Sequence, residues 1–280
     1  MKPGRPPQAG TFAAANVVRP LGDGTAIADL PADWTVGTKP HGGFLMSLLA
    51  KAAVLTVGHG TEHLDPLSVS AQFLSPASVG PVMLRTAVRK EGKTLAFVSV
   101  DLEQRGVTCV DATVVVGSLP DERSVWWNLP DVPARPPANA IDVGALPNLA
   151  GVFRLARTCE MLVDPVGAGF LERRTGDPLR LRLWVRPREG EQPDPYFALV
   201  AGDIAMPLTF NLGRVGWSPT VQMTSLVRAS PEPGWLRAQV ECRAVYGHWF
   251  DQDAIVLDSA GRLVCQARQL ALSASESAGS

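Results

Sequence analysis

His41-Gly-Gly-Phe-Leu-Met-Ser-Leu-Leu-Ala-Lys-Ala-Ala-Val54 is apolar on nearly every side of a helical projection. A surface helix keeps one apolar stripe and one polar back, so a segment apolar all round is expected to be a core helix. Its packing partners follow in the chain. Alternating runs at 67–74, 82–88, 95–102 and 107–116 are separated by Ser75-Pro76, Glu91-Gly92 and Arg105-Gly106, the punctuation of antiparallel hairpins. Within the first run Leu67, Val69, Ala71 and Phe73 share one face while Ser68, Ser70 and Gln72 share the other. Such a sheet has one dry side and one wet side, and the buried helix supplies cover for the dry one.

The second half repeats this plan. A strand at 179–185 alternates Leu with Arg180 and Arg182, an apolar helix is expected around 200–212, and strands are expected at 220–227, 235–242, 254–257 and 263–272. Ser68-Val-Ser-Ala-Gln-Phe-Leu falls on Thr220-Val-Gln-Met-Thr-Ser-Leu at an offset of 220 − 68 = 152, and Met83-Leu-Arg falls on Trp235-Leu-Arg at 235 − 83 = 152. The turn glycines Gly106 and Gly261 differ by 261 − 106 = 155, a slip that a hairpin loop absorbs. The chain therefore reads as an internal duplication, with units at 11–119 and 151–272. Between them, 120–150 carries Pro120, Pro130, Pro133, Pro136, Pro137 and Pro147 and reads as an extended linker. Trp126 and Trp127 are too apolar for a free tether, so the linker is expected to be ordered and pinned to the surface. Residues 1–10 and 273–280 lack periodicity and are expected to be disordered ends.

Composition narrows the function. A length of 280 residues allows two domains or one large one, and burial of about 73% of the unfolded surface needs no staples. Lys plus Arg (26) against Asp plus Glu (27) leaves a net charge of -1, so no basic field exists to attract nucleic acid. Apolar stretches such as 42–49 fall short of the ~18 residues of a membrane span. After Phe12 and its alanines, Asn16 and Arg19 interrupt any signal-peptide core. Cys109, Cys159, Cys242 and Cys265 form no C-x-x-C pair, which speaks against a zinc site or a disulfide framework and for a reducing cytoplasm. G-x-S-x-G, H-E-x-x-H, Walker and G-x-G-x-x-G patterns are absent, which removes serine-elbow hydrolases, zincins and nucleotide-binding folds.

A long buried helix wrapped by antiparallel sheet, present twice, resembles the double hot-dog fold: an α+β architecture with two antiparallel sheets, each around a long buried helix. His41-Gly-Gly-Phe-Leu resembles the glycine-led start of the hot-dog helix. Within that class the second half resembles the acyl-CoA thioesterase II family at Gly202-Asp203-Ile, Pro219-Thr220-Val and Arg268-Gln269-Leu. The resemblance covers most of 10–272 and implies Asp203, Thr220 and Gln269 as the catalytic set. It departs from the family pattern after the Thr, where Val221-Gln-Met-Thr-Ser-Leu-Val-Arg stands in place of an Asp-His and aromatic run.

Read from their surroundings alone, the same residues leave alternatives open. Asp203 stands among Val200, Ala201, Ile204, Ala205 and Met206, where a carboxylate is either a helix N-cap or a functional group. Gln269 shares a strand face with Leu263, Cys265, Ala267 and Ala271, as a core amide paired with backbone or as part of a site. Thr220 suits a strand start. His41 reads as the solvent-facing start of a helix or as a ligand-binding group, and His248, in a turn context, as exposed.

The chemistry implied by the resemblance is hydrolysis of an acyl-CoA to free acid and CoA, without metal or cofactor. Asp203 would act as base or orienter of water, with Thr220 and Gln269 completing its hydrogen-bond cage. Backbone N–H groups near Gly42, Gly43 and Gly202 are the candidate oxyanion donors, since glycine permits close approach. The acyl chain would lie between helix and sheet, with Arg180, Arg182, Arg228 and Arg243 as candidates for the anionic CoA head. A hot-dog hydratase would pair the Asp with a His five positions on, where Leu208 stands. A non-catalytic acyl-CoA or lipid-binding protein is the runner-up, and a scaffold the third reading. A homodimer or higher homo-oligomer is expected, with the face of Ala96, Val98, Val100 and Leu102 as its candidate contact.

Overall fold

The computed structural model describes residues 10–57 and 64–275. The apolar segment forms helix α1, Gly42–Val57, in which Phe44, Met46, Leu48, Leu49, Ala50 and Ala53 are fully buried. Around it lie the strands of the first half: β1 (Thr25–Leu30), β2 (Asp65–Phe73), β3 (Gly80–Glu91), β4 (Leu95–Gln104) and β5 (Val107–Gly117). The second half contains β6 (Arg180–Pro187), helix α2 (Pro195–Gly202), β7 (Thr220–Val227), β8 (Leu236–Glu241), β9 (Trp249–Leu257) and β10 (Leu263–Leu272).

These strands do not form the two separate sheets expected. They join in one 14-stranded antiparallel sheet whose central order is β1-β3-β4-β5-β2-β7-β10-β9-β8-β6. Arg19–Gly22 extends it beyond β1, Cys159–Val163 and Ile141–Asp142 extend it beyond β6, and Val245–Tyr246, the fourteenth strand, pairs with β9 off this path. The order reads outward from β2 in the first half as it reads outward from β7 in the second. At the seam Ala71 faces Met223, and 223 − 71 = 152, so at this one pair of the antiparallel ladder the two equivalents found in the sequence face each other. The physical reason for fusion is the edge. Each half ends on a strand with a row of free N–H and C=O groups, and β2 against β7 satisfies both rows. Across the seam the hydroxyls of Ser70 and Thr224 are hydrogen-bonded at 2.8 Å.

The second helix is shorter and earlier than the expected 200–212. Asp194 caps its N-terminus, accepting from the Phe197 N–H at 2.7 Å, and Pro195 takes the first helical position. The helix stops at Gly202, and Pro207, which has no N–H and disfavours helical geometry in the residue before it, blocks continuation. A separate 3-10 segment, Leu208–Leu212, follows. Asp203 is thus the residue that ends α2; the N-cap is Asp194.

Three further expectations change. The linker is anchored through Val132 and Pro133, whose carbonyls accept from Arg237 Nη1 at 2.6 Å and Trp184 Nε1 at 2.9 Å, while Trp126 and Trp127 are exposed. Ser273, placed in the disordered tail, is buried, and its N–H donates to the His248 carbonyl at 2.7 Å; residues 1–9 and 276–280 lie outside the described residues. Ala96, Val98, Val100 and Leu102 belong to the core beneath the sheet and offer no face to a second copy. Their alternation is that of a strand covered on one side by a helix, which sequence cannot distinguish from one covered by a partner.

One apolar core runs through both halves. Trp34 stacks on Phe44 at 5.0 Å between ring centres, and Phe12 bridges Trp34 and Phe197 at 5.4 and 5.2 Å. The two helices meet at the start of α1. A Cβ added at Gly43 would stand 2.8 Å from the Leu199 carbonyl oxygen and 3.0 Å from the Val200 Cα, so only glycine lets α1 come this close to α2.

Candidate active site

At this junction a cavity of about 360 Å³ opens between α1, the end of α2 and the sheet. Most of its wall is apolar, including Leu45, Phe73, Phe153, Ile204, Phe210 and Phe250. Asp203, Thr220, Gln269 and Gly42 all line it. Asp203, Thr220 and Gln269, separated by up to 66 residues (269 − 203 = 66), reach the lining of one cavity from the end of α2 and from the paired strands β7 and β10.

Asp203 supplies the carboxyl group of the site, its side chain 10% exposed. Its Oδ2 accepts from the Gly43 N–H at 2.7 Å, so the carboxylate sits at the N-terminus of α1, where helix N–H groups favour an anion. His41 Nε2 lies 3.5 Å from the same oxygen and 2.9 Å from the Asp203 carbonyl oxygen. Burial pushes the Asp203 carboxyl above the usual carboxylate range, opposed by His41 and by the Gly43 N–H. Oδ1 has no hydrogen bond to protein among the described residues.

Thr220 and Gln269 form a second cluster. The Thr220 hydroxyl donates to Gln269 Oε1 at 2.5 Å, which ties the start of β7 to β10. Gln269 is buried, and its partner is a side chain, so the alternative of a core amide paired with backbone does not describe it. Gln252 faces it directly across β9 and β10 and accepts from the Leu208 N–H at 3.2 Å. That residue escaped the sequence reading because the strand was expected to begin at 254. With Phe250, Ala254 and Val256 as its inward-facing neighbours, the missing signal was five residues of alternation.

The glycines divide. Gly42 lines the cavity and Gly43 donates to Asp203, but Gly202 faces β10, where an added Cβ would stand 3.2 Å from Cys265 Sγ and from the Ala267 Cβ. Its smallness serves helix-on-sheet packing, and it offers nothing to the cavity. The arginines Arg180, Arg182, Arg228 and Arg243 do not line the cavity; Arg182 bonds Gln239, and Arg243 pairs with Glu241 and Asp253. The lysine on its wall is Lys39. His41, read as equally a solvent-facing residue, is buried in the wall, while His248 is exposed as expected. Among the described residues no group of three or more His, Cys, Asp or Glu gathers as a metal site, and no helix is long and apolar enough to cross a membrane.

Comparison with known proteins gives this geometry a family. Residues 30–117 match the family model for the acyl-CoA thioesterase N-terminal domain, and residues 128–273 match that for the acyl-CoA thioesterase C-terminal domain. An uncharacterized protein of Mycobacterium tuberculosis is 37% identical over 262 residues, covering 87% of this chain and 89% of the relative. Among solved structures, a candidate thioesterase II of Thermobifida fusca is 30% identical with a TM-score of 0.83, covering 94% of this chain and 97% of that one. A hot-dog protein of unknown function from Alicyclobacillus acidocaldarius shares the fold at 21% identity and a TM-score of 0.77, over 94% and 98% of the two chains. With both domain models matched in tandem along a duplicated hot-dog chain, the protein belongs to the acyl-CoA thioesterase family.

Proposed function

We propose that the chain hydrolyses an acyl-CoA to the free carboxylic acid and CoA, using a water molecule held by Asp203, Thr220 and Gln269. The observation that carries this reading is their convergence, from the end of α2 and from two paired strands, on one largely apolar cavity. With its Oδ2 engaged by Gly43, Asp203 has Oδ1 available to water. The Thr220–Gln269 bond occupies Oε1 and leaves the amide N–H groups of Gln269 and the lone pairs of Thr220 Oγ1 for the same water.

Asp203 takes a proton as the water oxygen attacks the thioester carbonyl carbon. Negative charge then develops on the carbonyl oxygen. The Gly42 N–H, first of α1 and without a hydrogen bond to protein among the described residues, is the donor for it, since the Gly43 N–H is already given to Asp203. The tetrahedral intermediate collapses with cleavage of the C–S bond, and the departing thiolate recovers the proton from Asp203. The apolar wall takes the acyl chain, and Lys39 is the cation placed to meet the anionic end of the CoA arm.

The division into units at 11–119 and 151–272, assembly into a homo-oligomer and a cytoplasmic location belong to the same proposal. The test is a panel of short, medium, long and aromatic acyl-CoAs assayed for thiol release. Turnover of any member that is lost in Asp203→Asn supports hydrolysis. Tight binding across the panel without turnover favours the non-catalytic acyl-CoA or lipid-binding reading.

A further inference from the structure

His41 is tied down at both ring nitrogens. Nδ1 lies 3.3 Å from the Phe44 backbone nitrogen, a donor, and so accepts from it as an unprotonated nitrogen. Nε2 therefore carries the ring proton and donates to the Asp203 carbonyl at 2.9 Å. The imidazole is only 5% exposed and spans from the first turn of α1 to the residue that ends α2. Neither nitrogen is left to take a proton from water, so His41 is unsuited to act as the base itself. Yet its Nε2 stands 3.5 Å from Asp203 Oδ2, on the oxygen that Gly43 also holds.

We infer that His41 is a positioning residue for Asp203: it pins the end of α2 to the start of α1, so that Oδ2 stays turned toward the Gly43 N–H and Oδ1 toward the cavity. The inference rests on the hydrolytic reading for its effect on turnover, and on geometry alone for its effect on the carboxyl group. Asp203 ends a helix of only 8 residues whose own N–H bonds to the Val200 carbonyl, so nothing within α2 fixes the direction of its side chain. The restraint comes from the other half of the molecule. The titratable groups lining the cavity are Asp203, His41 and Lys39, and of these His41 is the one in contact with Asp203. The Nε2–H, though given to the Asp203 carbonyl, presents its positive end 3.5 Å from Oδ2; without it the carboxylate keeps only the Gly43 N–H beside it, and its protonated form gains.

The experiment compares His41→Phe, which keeps the bulk and removes both ring nitrogens, with His41→Gln, whose amide N–H can replace the Nε2 donor. The Asp203 carboxyl is followed by carbon-13 NMR, assigned by difference from Asp203→Asn, and kcat, KM and their pH dependence are measured on the same proteins. In His41→Phe the carboxyl should titrate at higher pH than in the wild type. The acid limb of the kcat profile should follow it, and kcat should fall by roughly 10- to 100-fold at nearly unchanged KM, as misplacement of a catalytic group by about 1 Å produces. His41→Gln should recover part of each. An unchanged carboxyl titration in a folded His41→Phe protein overturns the inference. So does a lowered melting temperature with kcat and pH profile intact. Absence of turnover in the wild type would count against the hydrolytic reading alone, because the NMR titration still decides the role of His41.

Discussion

Asp203 Oδ2 and the Gly43 backbone nitrogen, 160 residues apart in the chain, stand 2.7 Å from each other, so the candidate site exists only where the two halves of the duplication touch. The glycines that permit this contact fail in different ways when replaced. At Gly43 an added Cβ meets the Leu199 carbonyl oxygen at 2.8 Å and the Val200 Cα at 3.0 Å, backbone atoms that cannot swing aside. At Gly42 it meets Asp203 Oδ2 at 2.7 Å, the end of a side chain, and the Phe73 ring at 3.4 Å. Gly43→Ala should therefore cost about 1–3 kcal/mol in urea unfolding. Gly42→Ala should unfold near the wild-type midpoint but lose activity, because it displaces the carboxylate. Equal midpoints for the two variants would contradict this.

Asp203→Asn should lower kcat by about 10²- to 10⁴-fold, the contribution of a positioned general base. Its stability should move the other way. Burial raises the folded-state pKa of Asp203 above its unfolded value, so the stability linked to the protonated form is complete below the unfolded pKa and is lost as pH rises through the folded one. Asparagine does not titrate and escapes that loss. The unfolding free energy of Asp203→Asn relative to wild type should thus increase from pH 4 to pH 7 in parallel denaturation series.

Thr220 and Gln269 act as one unit if their 2.5 Å hydrogen bond orients the water. Gln269→Ala should reduce kcat/KM by roughly 10- to 10³-fold, and Thr220→Val by a similar order. The double variant should lose far less than the product of the two. Additive losses in a double-mutant cycle would show that the two side chains work separately.

Burial pushes the Cys159 and Cys265 thiols up to about 12 and the Cys242 thiol up to about 11, and Cys109 is raised by burial as well. The nucleophilic form of each is scarce at pH 8. Native protein mixed with a disulfide reagent should release almost no chromophore at that pH, and unfolded protein should release four equivalents, one for each cysteine. Fast labelling of the native chain would place a thiol in a more exposed setting than its position here.

The α1 helix, the alternating strands and the 152-residue offset were legible because each follows from local periodicity: apolar all round for a core helix, period two for a half-buried strand, and similar strings at one offset for a repeated unit. The strand at 263–272 was bounded correctly because its alternation runs unbroken into the polar tail. Asp203, Thr220 and Gln269 could be named as candidates, yet nothing local separated a cap or a core amide from a cavity wall. Tertiary structure decided the rest. It fused two sheets into one by pairing β2 with β7, since unpaired edges are costly and the seam satisfies both. The bounds of α2 follow from local signals, since Asp194-Pro195 starts that helix and Pro207 prevents its continuation, but only the tertiary structure turned Asp203 at its end toward Gly43 of the other half. It also set His41 and Gln252 beside residues far along the chain. A hydrogen bond from a side chain to a backbone carbonyl 162 residues away leaves no periodic trace, whereas burial of a helix or strand face does.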